Sequence, residues 1–66
     1  MGWFKKENYW FEIFKDERNE YRFRMRAPNT EIILTSESYK TLASLKDTLD
    51  VIKKFANKAV IKNLVN

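Results

Sequence analysis

The hexapeptide Tyr21-Arg22-Phe23-Arg24-Met25-Arg26 alternates strictly, with two rings and a thioether on one side and three guanidinium groups on the other. Successive side chains of a β-strand point to opposite faces, so this segment is a strand with one buried face and one charged face. A one-residue slip would drive the arginines into the core, and the pattern therefore constrains the register of any strand beside it.

The preceding segment, Tyr9 to Lys15, has the same period: Tyr9, Phe11 and Ile13 alternate with Trp10, Glu12 and Phe14. Between the two lies the polar stretch Asp16-Glu17-Arg18-Asn19-Glu20, in which Asn19 suits the left-handed conformation that closes a three-residue hairpin loop. With residues 17–19 as that loop, Ile13 faces Phe23, Phe11 faces Met25 and Glu12 faces Arg24. Trp10 and Phe14 then lie opposite Arg26 and Arg22. Ala27-Pro28-Asn29-Thr30 reads as a two-residue turn centred on Pro28 and Asn29. It leads into a third strand, Glu31 to Ser36, with Arg26 opposite Glu31 and with Ile32 and Leu34 on the core side.

Ser36 to Lys40 then connects to a helix, for which Thr41 is the expected N-cap. Leu42, Leu45, Leu49, Ile52 and Ala56 form its apolar stripe, and Asn57 is the expected stop. In the tail, Val60, Ile61, Leu64 and Val65 lack a clear period, which leaves a short added strand open. The expected fold class is α+β: a three-stranded antiparallel β-meander followed by one α-helix packed on one face, in the order β-β-β-α. It forms a single domain over residues 1–66 with its core at 9–57.

A chain of 66 residues buries only about 60% of the surface its unfolded form exposes. Natural domains of this size add disulfides, a structural metal or a partner subunit. With no cysteine and no histidine in the chain, disulfides and Cys/His zinc sites are excluded. Two Trp, three Tyr and five Phe leave ring packing or a second copy of the chain as the route to stability. No leader peptide or apolar run of membrane-spanning length is recognisable, so the expectation is a soluble, cytoplasmic protein. Absent cysteines fit that compartment.

The segments Phe11-Glu12-Ile13-Phe14-Lys15-Asp16, Glu20-Tyr21-Arg22-Phe23-Arg24 and Ile32-Ile33-Leu34-Thr35-Ser36-Glu37, with the following Tyr39, resemble the bacterial YegP-like proteins. The resemblance covers about Phe11 to Ala56. It implies a β-meander plus helix, present as tandem copies in one chain or as single copies that pair, and it implies no established activity, substrate or catalytic residue. Asn19, Thr30 and Ser38 stand where members of that family often have Gly, and both ends are longer than usual.

The most pointed surface feature is the face that Arg22, Arg24 and Arg26 share with Trp10, Glu12 and Phe14. Arginines interleaved with rings suit single-stranded nucleic acid, phosphates on the guanidinium groups and bases on the rings. They also suit a solvated face held by Glu12 to Arg24 and Arg26 to Glu31 pairs, or a partner interface. Trp10, Phe14 and Ile33 would form an apolar cluster costly to leave in water, so the leading expectation is a self-association module, a homodimer without catalytic activity. Weak, sequence-tolerant nucleic-acid binding is the alternative, and the net charge of +4 is too mild to argue for it. Trp3 and Phe4, beside Lys5 and Lys6, are expected to pack on the domain or its partner rather than on a membrane. Ser36-Glu37-Ser38-Tyr39 is the only polar cluster at an element junction, and it reads as backbone capping rather than catalysis. No cofactor, metal or small-molecule substrate is expected, since no Asp-rich loop with calcium spacing is present.

Overall fold

The computed structural model describes residues 8–65, so Trp3 and Phe4 lie outside the described residues. The alternating segments form β1 (Trp10–Lys15), β2 (Tyr21–Arg26) and β3 (Ile32–Thr35), followed by α1 (Leu42–Phe55) and a 3-10 turn at Ala56–Lys58. The sheet is antiparallel with the order β1-β2-β3, which makes the arginine-bearing strand the central one.

The first hairpin follows the expected register throughout, from Trp10 opposite Arg26 to Phe14 opposite Arg22. Asp16 organises its loop. The Asp16 amide donates to the Glu20 carbonyl and its own carbonyl accepts from Asn19, both at 2.9 Å. Its carboxylate Oδ1 accepts from the amides of Arg18 and Glu20 at 2.9 and 3.0 Å. Asn19 adopts φ 65°, a conformation that Asn tolerates better than most residues.

The second hairpin corrects the sequence reading. Its loop has three residues rather than two: the Ala27 amide donates to Glu31 and its carbonyl accepts from Thr30, the same pattern that Asp16, Glu20 and Asn19 make in the first loop. The left-handed residue is Thr30, at φ 72°, not Asn29. The extra residue shifts β3, so that Arg26 opposes Ile32 instead of Glu31 and Met25 opposes Leu34. Ile33 takes up the difference in a bulge. Leu34 is thus on the core side as expected, whereas Ile32 is aligned with Arg26.

After β3 the chain stays tied to the sheet. Tyr39 exchanges two backbone hydrogen bonds with Tyr21, at 2.8 and 2.7 Å. Ser36 Oγ accepts from the Phe23 amide at 2.9 Å. These contacts bring the Tyr39 ring into a stack with Phe23 at 6.2 Å, and Phe11 meets Phe23 edge-on at 5.9 Å. Thr41 is the N-cap as expected, its Oγ1 accepting from the Ser44 amide at 3.1 Å. The α-helix ends at Phe55 with Ala56 as its C-cap, so Asn57 stands just past the cap as expected, but the chain continues through the 3-10 turn and leaves it at Ala59, in extended backbone.

The helix backbone comes closest to the sheet at the central strand. Among the described residues only Phe23 and Leu45 are buried, at 2% and 0% exposure. The short strand left open for the tail does not form: residues 59–65 are in neither strand nor helix.

Thr30 carries a testable consequence. A left-handed conformation costs an L-residue about 1–2 kcal/mol, and β-branching places Thr among the least suited. After the extra chain entropy that Gly loses on folding, Thr30→Gly should stabilise the domain by about 0.5–1 kcal/mol, while Asn19→Gly should gain less. Thermal unfolding of the two variants checks this, and a Thr30→Gly midpoint at or below that of the parent chain would refute the strain argument.

Candidate functional site

The face opposite the helix gathers six of the seven residues singled out in the sequence. Trp10, Glu12 and Phe14 of β1 stand across from Arg26, Arg24 and Arg22 of β2. Ile33 sits apart, in the β3 bulge, and is half exposed.

Glu12 is the centre of this face. Its Oε1 accepts from Arg24 Nε at 2.7 Å and from Arg26 Nε at 2.9 Å, while Oε2 accepts from Trp10 Nε1 at 2.9 Å. Alternation places all four side chains on one side of two paired strands, so a single carboxylate reaches three donors without leaving the sheet. Hydrogen bonds from Trp10, Arg24 and Arg26, in that order of weight, hold its pKa at about 2, below the ordinary 4.5.

The other arginine contacts follow the same logic. Arg22 Nε donates to Asp16 Oδ2 at 2.8 Å, and its Nη1 reaches the Ser36 carbonyl at 3.2 Å. That contact, aided by the backbone amides of Glu20 and Arg18, lowers the pKa of Asp16 as well. Arg26 also caps the second loop through the Thr30 carbonyl, rather than pairing with Glu31. The Arg24 guanidinium lies over the Phe14 ring, 4.5 Å from its centroid. Three guanidinium charges therefore meet two carboxylates within the face, and the net excess is one.

Beside the first loop an open hollow of about 580 Å³ is lined by Phe14, Lys15, Asp16, Glu17, Arg18, Arg22 and Thr35. Of its two carboxylates, Asp16 is already engaged by Arg22 and two backbone amides. Ser36 acts as expected of a capping hydroxyl, on the Phe23 amide. Among the described residues no three His, Cys, Asp or Glu side chains converge as metal ligands, and no helix is long and apolar enough to cross a membrane.

Two features escaped the sequence reading. One is Asp16, which looks like an ordinary turn residue until its five hydrogen bonds are drawn. The other is an apolar ridge on α1, Val51 and Phe55, exposed at 55% and 53%. Their i,i+4 spacing outside the main stripe was its signal.

Glu12 sets a pH dependence. Because its folded-state pKa is depressed, its stabilisation is complete above its ordinary pKa of 4.5 and is lost as pH falls toward 2. Glu12→Gln should lower the unfolding midpoint at neutral pH and flatten the decline between these two values. Equal pH slopes for the parent and the variant in that window would contradict the role assigned to Glu12.

Comparison with known proteins places the chain. Residues 16–63 match the family described as "Domain of unknown function (DUF1508)". A UPF0339 protein of Agrobacterium fabrum is 52% identical over 46 residues, which are 70% of this chain and 74% of that protein. A UPF0339 protein of Acinetobacter baylyi is 44% identical over 45 residues, 68% of this chain but only 40% of the relative. The solution NMR structure of protein ATU0232 from Agrobacterium tumefaciens superposes with a TM-score of 0.75 at 40% identity, over 86% of this chain and 92% of that one. Sequence and fold agree that this chain belongs to the DUF1508 family of UPF0339, or YegP-like, proteins, whose function is unknown.

Proposed function

We propose that this domain is a self-association module, a non-catalytic homodimer that pairs through its helix-bearing side. The observation that carries the reading is the partial cover that α1 gives the sheet. The helix backbone comes closest to β2, Ile13 and Leu34 on the strands to either side remain 43% and 42% exposed, and Val51 and Phe55 of the helix are 55% and 53% exposed.

Fully burying an aliphatic or Phe side chain yields about 1.5–3 kcal/mol. Four such side chains left roughly half in water therefore forgo about 3–6 kcal/mol. At about 0.05–0.15 kcal/mol per residue, the whole domain has a stability of only about 3–10 kcal/mol. A second copy set against this side recovers a sum comparable to the fold's own stability. The length of the Acinetobacter baylyi relative supports the reading, since a chain that this domain covers to 40% has room for a second copy.

On the arginine face, by contrast, each guanidinium already makes at least one hydrogen bond to Glu12, Asp16 or a backbone carbonyl. Phosphates bound there would compete with the ion pairs to Glu12 and Asp16, which already set two carboxylates against the three guanidinium groups. Nucleic-acid binding is therefore the weaker reading.

Sedimentation equilibrium at high micromolar concentration should return a dimer, and Val51→Asp with Phe55→Asp should weaken it at least tenfold. A monomer throughout that range would overturn the proposal. Titration of a labelled single-stranded oligonucleotide at low salt should stay flat. A salt-sensitive affinity lost on replacing Arg22, Arg24 and Arg26 with Ser, in a variant that still folds, would favour the other reading.

A further inference from the structure

The hollow beside the first loop gathers donors that the fold leaves over. It opens on the arginine face, since Phe14 stands opposite Arg22 across β1 and β2, and Thr35 stands opposite Arg24 across β2 and β3. Its volume of about 580 Å³ falls within the roughly 300–1,000 Å³ of small-molecule sites. This face is turned away from the helix, so the hollow and the pairing surface proposed above are separate.

Two cations are fixed at its wall. Arg22 donates from Nε to Asp16 at 2.8 Å and from Nη1 to the Ser36 carbonyl at 3.2 Å, which sets the plane of its guanidinium. Its Nη2 makes no hydrogen bond among the described residues. Arg18 is held by its backbone instead. Its amide donates to Asp16 Oδ1 at 2.9 Å, while its exposed guanidinium has no partner among the described residues. The Thr35 hydroxyl is likewise exposed and unengaged among them. Lys15 lines the hollow too, but alternation turns its ammonium to the other face, 5.1 Å from the centre of the Tyr21 ring.

The apolar part of the wall is Phe14. Arg24 lies over that ring at 4.5 Å and does not line the hollow, which therefore meets a part of the ring that Arg24 leaves bare. An aromatic group placed there can pack offset or edge-on against Phe14.

Charge selects the ligand further. Arg18, Arg22, Arg24 and Arg26 stand against Glu12, Asp16 and Glu17, so the face and its loop together carry an excess of one positive charge. A carboxylate brings one negative charge and two oxygens that suit guanidinium donors. A phosphate monoester brings about 1.5–2 negative charges, and the surplus would lie against Asp16 and Glu17.

We infer that this hollow is a binding site for a small aromatic carboxylate. The carboxylate is taken by Arg18 and by Nη2 of Arg22, with the Thr35 hydroxyl beside them, and the ring lies against Phe14. Binding uses what remains after the Asp16–Arg22 pair has formed, so the hairpin loop keeps its own hydrogen bonds.

The probe is naphthoate, titrated into the isotope-labelled full-length chain and followed by NMR. Saturable shifts at Phe14, Arg18 and Thr35 at low-millimolar probe are expected, with Val51 and Phe55 unmoved. Arg18→Gln removes a side chain that makes none of the loop's hydrogen bonds, and it should weaken binding at least fivefold at an unchanged unfolding midpoint. Phe14→Leu should remove the ring-current shifts of the naphthyl protons. Naphthalenemethanol, which has the ring without the charge, and naphthyl phosphate should each bind at least fivefold more weakly than naphthoate. The absence of saturable shifts, shifts centred on the helix side, or an affinity that the alcohol matches or Arg18→Gln leaves unchanged would overturn the site. Tighter binding of the phosphate would overturn the choice of a carboxylate. The self-association reading stands or falls separately, by sedimentation.

Discussion

The structure depends on one contact, the seating of α1 on the central strand. Leu45 and Phe23 are the two buried side chains among the described residues, and both belong to elements that meet there. Phe23 is held from three directions: Phe11 edge-on, Tyr39 in a stack, and Ser36 through the backbone amide. The other described residues keep some exposure, and Ile13, Leu34, Val51 and Phe55 keep about half of theirs. For a chain of this length, without disulfide or Cys/His metal, so narrow a core defines what remains to be supplied.

The opposite face solves a different problem. Three arginines on one strand would repel each other and bind polyanions if left alone. Glu12, on the neighbouring strand, instead holds two of them and the indole of Trp10, and Asp16 holds the third while shaping the hairpin loop. Arg24 in turn covers the Phe14 ring. Rings and cations that look like a binding surface in the sequence are bonded to each other in the fold, so the face can meet water without a ligand. The unsatisfied apolar surface lies elsewhere, around the helix, at the β3 edge and in the tail.

Much of this was legible in the residues. Alternation in Tyr21–Arg26 specified the strand, its faces and the register with β1, since one slip would have buried arginine. The second hairpin was misread by one residue, because Pro28-Asn29 is a persuasive turn centre while Thr is a poor left-handed residue. The absence of Gly at Thr30, where family members often carry it, was the available clue. How little of the sheet the helix covers could not be read, because the apolar stripe gives a helix's buried face but not its placement across three strands. The tail stays outside regular structure, which its lack of a clear period had left open.

These elements describe a domain whose folding and pairing are coupled. Chemical unfolding followed as a function of protein concentration tests that most directly. If folded chains are dimers and unfolded chains are not, a hundredfold rise in concentration adds about 2.7 kcal/mol per dimer by mass action, and the midpoint moves to higher denaturant. A midpoint independent of concentration over that range would contradict the account.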